Sequence, residues 1–252
     1  MSDGSRWFRR YRPAPAAEST LVCFPHAGGS ASYFLPVARA LAGELDVIAV
    51  QYPGRSYRRS EPCFVTIDAL ADAVADELAG MTDRPVTLFG HSMGALVAFE
   101  VARRWEADGR TPLSLLVSGR RAPSVRRERD VRLDTAGDAI AELTRLGGTE
   151  QTLVEDDAFV SQTVLPVLRA DYEAVRSYET GTRAEALTAP ILAYVGDDDP
   201  EVEQKEALAW QRHTTGGFEL RTYQGGHFYP VTEGSDVLTV IRDAVARCPV
   251  SR

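Results

Sequence analysis

Residues 90–94, Gly-His-Ser-Met-Gly, decide how this sequence folds. They follow the apolar run 85–89 (Pro-Val-Thr-Leu-Phe) and precede the helix-like stretch 95–102 (Ala-Leu-Val-Ala-Phe-Glu-Val-Ala). A Gly-x-Ser-x-Gly motif between a strand and a helix places its serine on a sharp turn with a strained backbone. Its two glycines are small enough to let the flanking elements approach each other closely. We therefore predict that Ser92 is a nucleophile at a strand–turn–helix junction, whereas a chance match would lack these flanking patterns.

A serine hydroxyl needs a base to become a strong nucleophile, and the chain contains four histidines. His227 lies in a Gly-Gly-His-Phe loop directly after the strand-like run 218–223. In α/β-hydrolases the triad follows the chain order Ser, then Asp or Glu, then His, so a loop histidine after a late strand suits the base. His26 and His91 lie beside glycines in predicted turns. His213 follows a polar helical stretch, and we expect it at a solvated helix end.

The acid of such a triad should follow a strand between the serine and the histidine. The apolar run 191–195 ends at a glycine and continues into three aspartates, Asp197, Asp198 and Asp199. Asp199 is favoured because the proline after it holds its backbone extended, which can direct the carboxylate to the histidine. Asp197 and Asp198 remain alternatives. All three could instead cap a helix over 201–210, or one could cap while another serves the base.

An oxyanion site needs two backbone N–H donors. Met93 supplies one as the residue after the nucleophile, and the other should come from the loop after an early strand. That strand is predicted at 20–24, and its loop is 25–30, Pro-His-Ala-Gly-Gly-Ser. Ala27 occupies the donor position, and the glycines let the backbone approach a substrate. A plain glycine-rich turn is the alternative interpretation.

Periodic apolar patterns predict an alternation of strands and helices. The strands are predicted near 20–24, 45–50, 86–90, 113–118, 191–195 and 218–223, and the helices near 34–43, 66–79, 95–107, 201–212 and 235–247. Such alternation indicates a mostly parallel sheet with helices on both faces.

The alternation breaks in the middle of the chain, where helices are predicted at 139–146, 156–164 and 166–178 without a strand. We therefore assign 1–122 and 185–252 to one core domain and 123–184 to an inserted helical lid above Ser92. The apolar side chains expected to face a bound substrate are Leu143, Leu146, Phe159, Val164 and Leu168. A helical insertion that makes no contact with substrate is the alternative.

Composition limits the class of protein. A chain of 252 residues with 44% hydrophobic residues is long enough for one α/β domain with a sizeable core. A net charge of −8 argues against a nucleic-acid partner. No secretion signal and no membrane-spanning apolar stretch is evident, so we expect a cytoplasmic protein without a membrane partner. Cys23, Cys63 and Cys248 lack metal-ligand spacing, and Cys23 is expected in the core.

Six short segments carry a resemblance to a known family. They are 24–29 (Phe-Pro-His-Ala-Gly-Gly), 51–55 (Gln-Tyr-Pro-Gly-Arg), 89–95 (Phe-Gly-His-Ser-Met-Gly-Ala), 118–123 (Ser-Gly-Arg-Arg-Ala-Pro), 165–172 (Leu-Pro-Val-Leu-Arg-Ala-Asp-Tyr) and 225–228 (Gly-Gly-His-Phe). Together they resemble the type II thioesterases, which are free-standing editing enzymes of bacterial polyketide synthases and non-ribosomal peptide synthetases. The serine pentapeptide is shared with many lipases and esterases. The first, second and fifth segments are shared by far fewer families and are therefore more specific.

The resemblance implies an α/β-hydrolase fold with a mostly parallel central sheet, helices on both faces and an inserted helical lid. It implies hydrolysis of acyl thioesters from the phosphopantetheine arm of acyl or peptidyl carrier proteins, which clears stalled or mis-primed synthases. Ser92, Asp199 and His227 would form the triad, and Ala27 and Met93 would donate to the oxyanion. No metal or diffusible cofactor is expected, and we expect a monomer.

An arginine-rich stretch suggests where a carrier protein docks. Arginines crowd a short stretch of this otherwise acidic chain, at Arg120, Arg121, Arg126, Arg127, Arg129 and Arg132. Carrier proteins of this kind are typically acidic around the phosphopantetheine serine, so the resemblance favours docking on Arg126, Arg127 and Arg129. An ordinary solvated surface is the alternative.

Other activities fit the same triad. An enzyme that releases a finished fatty acyl chain from a carrier would use it, and so would an oxygen-ester carboxylesterase. A non-catalytic binding protein on a hydrolase scaffold is a further alternative, although an intact Ser, His and Asp set argues against it.

Overall fold

The computed structural model describes residues 5–127, 131–147, 157–178, 186–231 and 237–246. Within this part of the chain seven strands form one sheet in the order β1-β3-β2-β4-β5-β6-β7. The strands are β1 (Phe8–Arg9), β2 (Thr20–Phe24), β3 (Asp46–Val50), β4 (Val86–His91), β5 (Ser114–Ser118), β6 (Ile191–Gly196) and β7 (Phe218–Tyr223). Only β1 runs antiparallel to its neighbour, so the predicted mostly parallel sheet is confirmed. The sequence pattern missed β1 because two residues are too few to show alternation.

The helices lie between the strands, as predicted for an α/β fold. They are α1 (Leu35–Ala40), α2 (Ile67–Ala79), α3 (Met93–Ala107), α4 (Ala136–Leu146), α5 (Asp157–Phe159), α6 (Leu165–Ser177), α7 (Gln204–Leu208) and α8 (Val237–Ala246). A π-helical turn at Val160–Val164 joins α5 to α6.

The helix predicted over 201–212 begins later and changes type. Glu203 and Glu206 form a reciprocal capping box, so α7 begins at Gln204 rather than at residue 201. The chain then continues as a 3₁₀ helix at Ala209–His213. No helix starts at residue 201, so the alternative in which all three aspartates cap such a helix is wrong.

Two hydrophobic clusters cover the two faces of the sheet. Along β2, Leu21 and Cys23 belong to one cluster, whereas Val22 and Phe24 belong to the other. This is the alternation that a strand with apolar residues on both faces requires. Cys23 is fully buried, as expected, and burial raises the pKa of its thiol.

Between β5 and β6 the described helices are α4, α5 and α6, and part of this segment forms a small hydrophobic cluster of its own. Its buried members are Leu133, Ala139, Val160, Leu165 and Leu168. Helix α6 also reaches the main core, because Ala174 packs there. The boundaries proposed for a core and an inserted lid remain a prediction, and residues 128–130, 148–156 and 179–184 of the proposed lid lie outside the described chain.

The topology places two loops side by side. β2 lies between β3 and β4, so the chain turns outward in opposite directions on either side of β2. In parallel sheets, ligands bind beyond the carboxyl ends of the strands at such a switch point. The loops that follow β2 and β4 carry Ala27 and Ser92.

Candidate active site

Ser92 lies between β4 and α3 with a strained backbone. Its φ of 54° and ψ of −120° are rare for a residue with a side chain. The Ser92 N–H donates to the Ser118 carbonyl at 2.8 Å, and the Ser92 carbonyl accepts from the Ala95 N–H at 3.0 Å. The predicted strand–turn–helix junction is confirmed, and these hydrogen bonds hold the strained turn.

The two glycines of the motif prevent two different collisions. A Cβ on Gly90 would come within 2.5 Å of Ala95 Cα in helix α3. A Cβ on Gly94 would collide with the carbonyl oxygen of Phe24 at the end of β2. Gly90 thus lets the strand approach its own helix, and Gly94 lets that helix approach the neighbouring strand.

His227 and Asp199 form a buried pair. His227 Nδ1 lies 3.0 Å from Asp199 Oδ1 and 2.9 Å from Oδ2, and the two side chains are 2% and 0% exposed. Asp199 Oδ1 also accepts the Glu201 N–H at 2.8 Å. One carboxylate therefore both contacts the imidazole and stabilises the turn after β6.

The other two aspartates have different surroundings. Asp197 Oδ1 accepts the Gly225 N–H at 2.9 Å, which holds the loop that carries His227. Asp198 is exposed, and its backbone N–H donates to the Gly225 carbonyl at 3.1 Å. Of the three candidates, the structure brings Asp199 into hydrogen-bond distance of the imidazole.

His227 lies close to the turn that carries Ser92, because it packs near His91, the residue before the serine. The ring centroids of His91 and His227 are 5.0 Å apart. A Cβ added to Gly119 would lie 2.8 Å from His91 Cε1 and 3.2 Å from His227 Cε1. Among the described residues no hydrogen bond joins the Ser92 hydroxyl to His227. Such bonds are often long in ligand-free enzymes and shorten when substrate binds.

The two predicted oxyanion donors lie at the ends of two elements. The loop at 25–30, here called the oxyanion loop, contains a turn in which the Gly29 N–H donates to the His26 carbonyl at 2.9 Å. Gly28 takes a φ of 77°, which suits the third residue of a type II turn. Within the described chain, neither Ala27 N–H nor Met93 N–H donates a hydrogen bond to the protein. Both N–H groups are thus available to an anion.

A cluster of imidazoles beside His227 was not foreseen from the sequence. The His26 ring lies 5.9 Å from the His91 ring and 4.8 Å from the Phe228 ring, and Tyr33 stacks on His91 at 5.6 Å. Burial, together with the charges of His227 and Arg55, lowers the pKa of His26 to about 3. Burial likewise lowers the pKa of His91 well below its usual range. Near neutral pH both rings are therefore neutral and add no positive charge beside His227.

His213 does not lie at a solvated helix end. It is 7% exposed, its Nε2 lies 3.0 Å from the Ser124 hydroxyl, and its ring packs 5.7 Å from that of Trp210. The expectation failed because the 3₁₀ turn that ends here packs against α3, where Phe99 also contacts the imidazole.

The arginine-rich stretch is only partly described. Arg127 donates to Glu203 at 3.0 Å, so its charge is partly offset. Arg126 is exposed, and Arg129 lies outside the described residues. Arg120 differs from the surface arginines because burial lowers its pKa to about 10. Docking on Arg126, Arg127 and Arg129 remains a prediction.

The candidate acyl-facing residues fall into two groups. Leu143, Val164 and Leu168 pack in the small cluster between α4 and α6. Leu146 is half-buried, and Phe159 is 41% exposed. Leu168 lies directly on the oxyanion loop, because a Cβ on Gly28 would lie 2.8 Å from Leu168 Cδ2.

The described residues contain neither a metal-binding cluster nor a helix that could span a membrane. No group of three or more His, Cys, Asp or Glu side chains there has an arrangement that could hold a metal ion. None of the described helices is long and apolar enough to cross a membrane.

Comparisons with known proteins point to one family. The sequence profile of the family described as Thioesterase domain matches residues 19–245. The chain is 43% identical to the thioesterase PikA5 of Streptomyces venezuelae, over 96% of this chain and 86% of that protein. It is 42% identical to a probable cadicidin biosynthesis thioesterase of Streptomyces griseus, over 96% of this chain and 66% of that protein.

Solved structures agree. The type II thioesterase BorB from the borrelidin biosynthetic cluster superposes with a TM-score of 0.88 at 44% identity, covering 97% of this chain and 100% of that one. YbtT, a type II thioesterase from the yersiniabactin NRPS/PKS pathway, gives 0.84 at 32% identity, covering 96% and 99%.

Proposed function

Because the chain belongs to the thioesterase family, we propose that it hydrolyses acyl thioesters held on the phosphopantetheine arm of acyl or peptidyl carrier proteins. The observation that carries the proposal is the buried His227–Asp199 pair, with a 2.9 Å contact, beside a serine at a strained turn. The printed names of the relatives support the thioester substrate, since they describe thioesterases of polyketide and non-ribosomal peptide pathways. In such a pathway the enzyme would clear stalled or mis-primed carriers.

In the first half-reaction, Ser92 Oγ attacks the thioester carbonyl while its proton passes to His227 Nε2. Asp199 accepts the Nδ1–H of His227, so that Nε2 keeps its lone pair for this proton. The N–H groups of Ala27 and Met93 bind the tetrahedral oxyanion, at ~3 kcal/mol per donor in comparable enzymes. The C–S bond then breaks, the sulfur takes the proton from His227, and an acyl ester remains on Ser92.

The second half-reaction repeats these steps with water. His227 takes a proton from water as its oxygen attacks the acyl ester, and the same two N–H groups bind the new oxyanion. The bond to Ser92 breaks, the serine oxygen regains its proton and the free acid leaves. No metal or diffusible cofactor takes part in this scheme, which would operate in a monomer in the cytoplasm.

Intact mass spectrometry of acylated carrier proteins tests the proposal directly. A panel that carries acetyl, propionyl and longer acyl groups is incubated with and without the enzyme. We expect the mass of the acyl group to disappear from synthase carriers, with free acid as the product. Carriers that stay acylated while a simple oxygen ester is hydrolysed would indicate a carboxylesterase instead. Exclusive activity on long chains of a fatty-acid carrier would indicate product release.

Bulkier side chains in the small hydrophobic cluster between α4 and α6 should shorten the acyl chain that the enzyme accepts. Leu143 and Val164 pack in the same cluster as Leu168, which contacts the oxyanion loop, so under the proposed lid a phenylalanine at either position would reduce the space for the acyl chain. We expect kcat/KM for long acyl thioesters to fall while acetyl hydrolysis is kept. Thr144→Phe is the matched control, because Thr144 lies next to Leu143 but is exposed. Equal losses for every chain length would show a folding defect rather than a size limit.

Charge reversal at Arg126, Arg127 and Arg129 tests docking of an acidic carrier. We expect lower kcat/KM for the carrier-bound substrate and a wild-type rate that falls with added salt, because screening limits exposed charges to about 8–10 Å. A small acyl thioester without a protein surface should react at an unchanged rate. Reversal of the exposed Arg12, Arg39 and Arg212 is the control for net charge. If both substrates lose activity equally, the arginines support the fold, and if neither does, the carrier docks elsewhere.

A further inference from the structure

Three of the family-like segments meet at one buried carboxylate. Asp171 of helix α6 accepts three hydrogen bonds: Oδ2 from the Gly28 N–H at 2.7 Å and from Arg55 Nη1 at 2.6 Å, and Oδ1 from Arg55 Nη2 at 2.8 Å. The side chains of Arg55 and Asp171 are only 7% and 3% exposed. A buried ion pair of this geometry is bidentate and directional, so it can orient whatever else it touches.

Arg55 is itself fixed to the loop that it faces. Its Nη1 also donates to the Gly29 carbonyl at 3.3 Å, and its Nε donates to the Pro53 carbonyl at 3.1 Å. The pair therefore contacts the oxyanion loop twice, at the N–H of Gly28 through Asp171 and at the C=O of Gly29 through Arg55. These contacts hold the two peptide groups on either side of the one that joins Gly28 to Gly29.

The same helix adds an apolar contact one turn earlier. Leu168 packs so closely on Gly28 that a Cβ there would lie 2.8 Å from Leu168 Cδ2. Helix α6 thus touches the loop with both a carboxylate and an aliphatic side chain. The Gly28 N–H donates to Asp171 and the Gly29 N–H to the His26 carbonyl, whereas the Ala27 N–H keeps no acceptor within the described residues and can bind an anion.

The geometry points to Asp171 as a positioning residue for the oxyanion site, acting through Gly28 on the N–H of Ala27. This inference rests on the proposed function, in which Ala27 N–H binds the oxyanion. Its consequence is that the oxyanion site is complete only while α6 is docked on the loop. If α6 moved away, Gly28 N–H and Arg55 would lose their common acceptor and the turn would lose its orientation.

The test compares Asp171→Ala and Asp171→Asn with the wild-type enzyme on a small acyl thioester. We expect Asp171→Ala to lower kcat about 10²-fold, the loss typical of an ångström-scale displacement of a catalytic group, with little change in KM. Asp171→Asn keeps one oxygen for Gly28 N–H but loses the ion pair with Arg55, so we expect an intermediate kcat. This milder variant also serves if Asp171→Ala does not fold.

A second measurement separates positioning from general support of the fold. A trifluoromethyl ketone analogue of the substrate forms a tetrahedral adduct with the serine, and its oxyanion occupies the site under test. We expect its inhibition constant to rise in parallel with the loss of kcat, while the inhibition constant of the acid product stays unchanged. If Asp171 only stabilised the fold, its substitution would change neither the inhibition constant of the ketone nor that of the acid product in the folded protein.

Glu100→Gln is the matched control. Glu100 is 2% exposed and accepts hydrogen bonds from Arg103 at 2.9 Å, from Arg104 at 2.6 Å and from Tyr178, just after α6, at 2.7 Å. It is thus an equally buried carboxylate that binds two arginines of α3 and the residue after α6, and among the described residues it makes no hydrogen bond to the oxyanion loop. We expect a lower melting temperature with unchanged kcat and ketone affinity.

The outcomes of these experiments can be told apart. Folded Asp171 variants with wild-type kcat and ketone affinity would overturn the inference. An equal loss of kcat in Glu100→Gln would also overturn the inference, because damage to any buried ion pair would then be enough to lower kcat. A wild-type enzyme that fails to hydrolyse any thioester would instead refute the proposed function.

Discussion

Replacing Ser92 with alanine is expected to lower the rate of carrier deacylation by at least about 10³-fold while the protein still folds. The loss follows because Ser92 is the hydroxyl-bearing residue of the turn 90–94, so the substrate then has no serine nucleophile there. The fold should survive, since the Ser92 side chain makes no hydrogen bond within the described residues. Alanine and serine also face a similar strain at a φ of 54°. Residual activity would come from the oxyanion site and from substrate binding.

Deacylation rates from intact mass spectrometry, together with thermal unfolding, measure this effect. His227→Ala should be comparably damaging, because the serine then has no base. His213→Ala is the matched histidine control. It should keep turnover but lower the melting temperature, since it removes a buried ring and its contact with Ser124. Near-normal turnover in Ser92→Ala would refute the assignment of the nucleophile.

The second large effect is expected at Asp199, where Asp199→Asn should lower kcat by about 10⁴-fold with the fold intact. Asp199 Oδ1 accepts the Glu201 N–H at 2.8 Å, and an asparagine must keep its carbonyl oxygen there. Its amide group would then point at His227 Nδ1, which lies 2.9 Å from Oδ2. A donor at that position favours the tautomer with its proton on Nε2, and this tautomer cannot accept the serine proton.

The neighbouring aspartates provide controls for this prediction. Asp197→Asn keeps a carbonyl oxygen for the Gly225 N–H, and Asp198→Asn changes an exposed side chain. Both should cost far less activity than Asp199→Asn when kcat is measured on the same thioester. If either were the more damaging change, the acid of the triad would have to be reassigned.

Local patterns in the sequence were sufficient for the architecture and for most of the candidate site. The strand and helix that flank Ser92, the glycines around it and the late loop histidine can all be recognised within a few residues. Glycine and proline restrict or free the backbone at their own positions, and apolar periodicity indicates whether a short stretch is a helix or a strand. These signals are local, so they can be interpreted without knowing the fold. The same reasoning explains the failures at β1, which is too short for a pattern, and at His213, whose burial depends on α3.

Only the tertiary structure decided which distant groups touch. Three adjacent aspartates have almost the same local sequence, and the packing of the loops after β6 and β7 brings Asp199 to His227. Asp171 lies 116 residues from Arg55 and 143 residues from Gly28, yet it binds both. Such contacts arise when α6 packs over the carboxyl ends of the sheet. Their geometry depends on how whole helices and strands pack together, and this packing cannot be inferred from any local stretch of sequence.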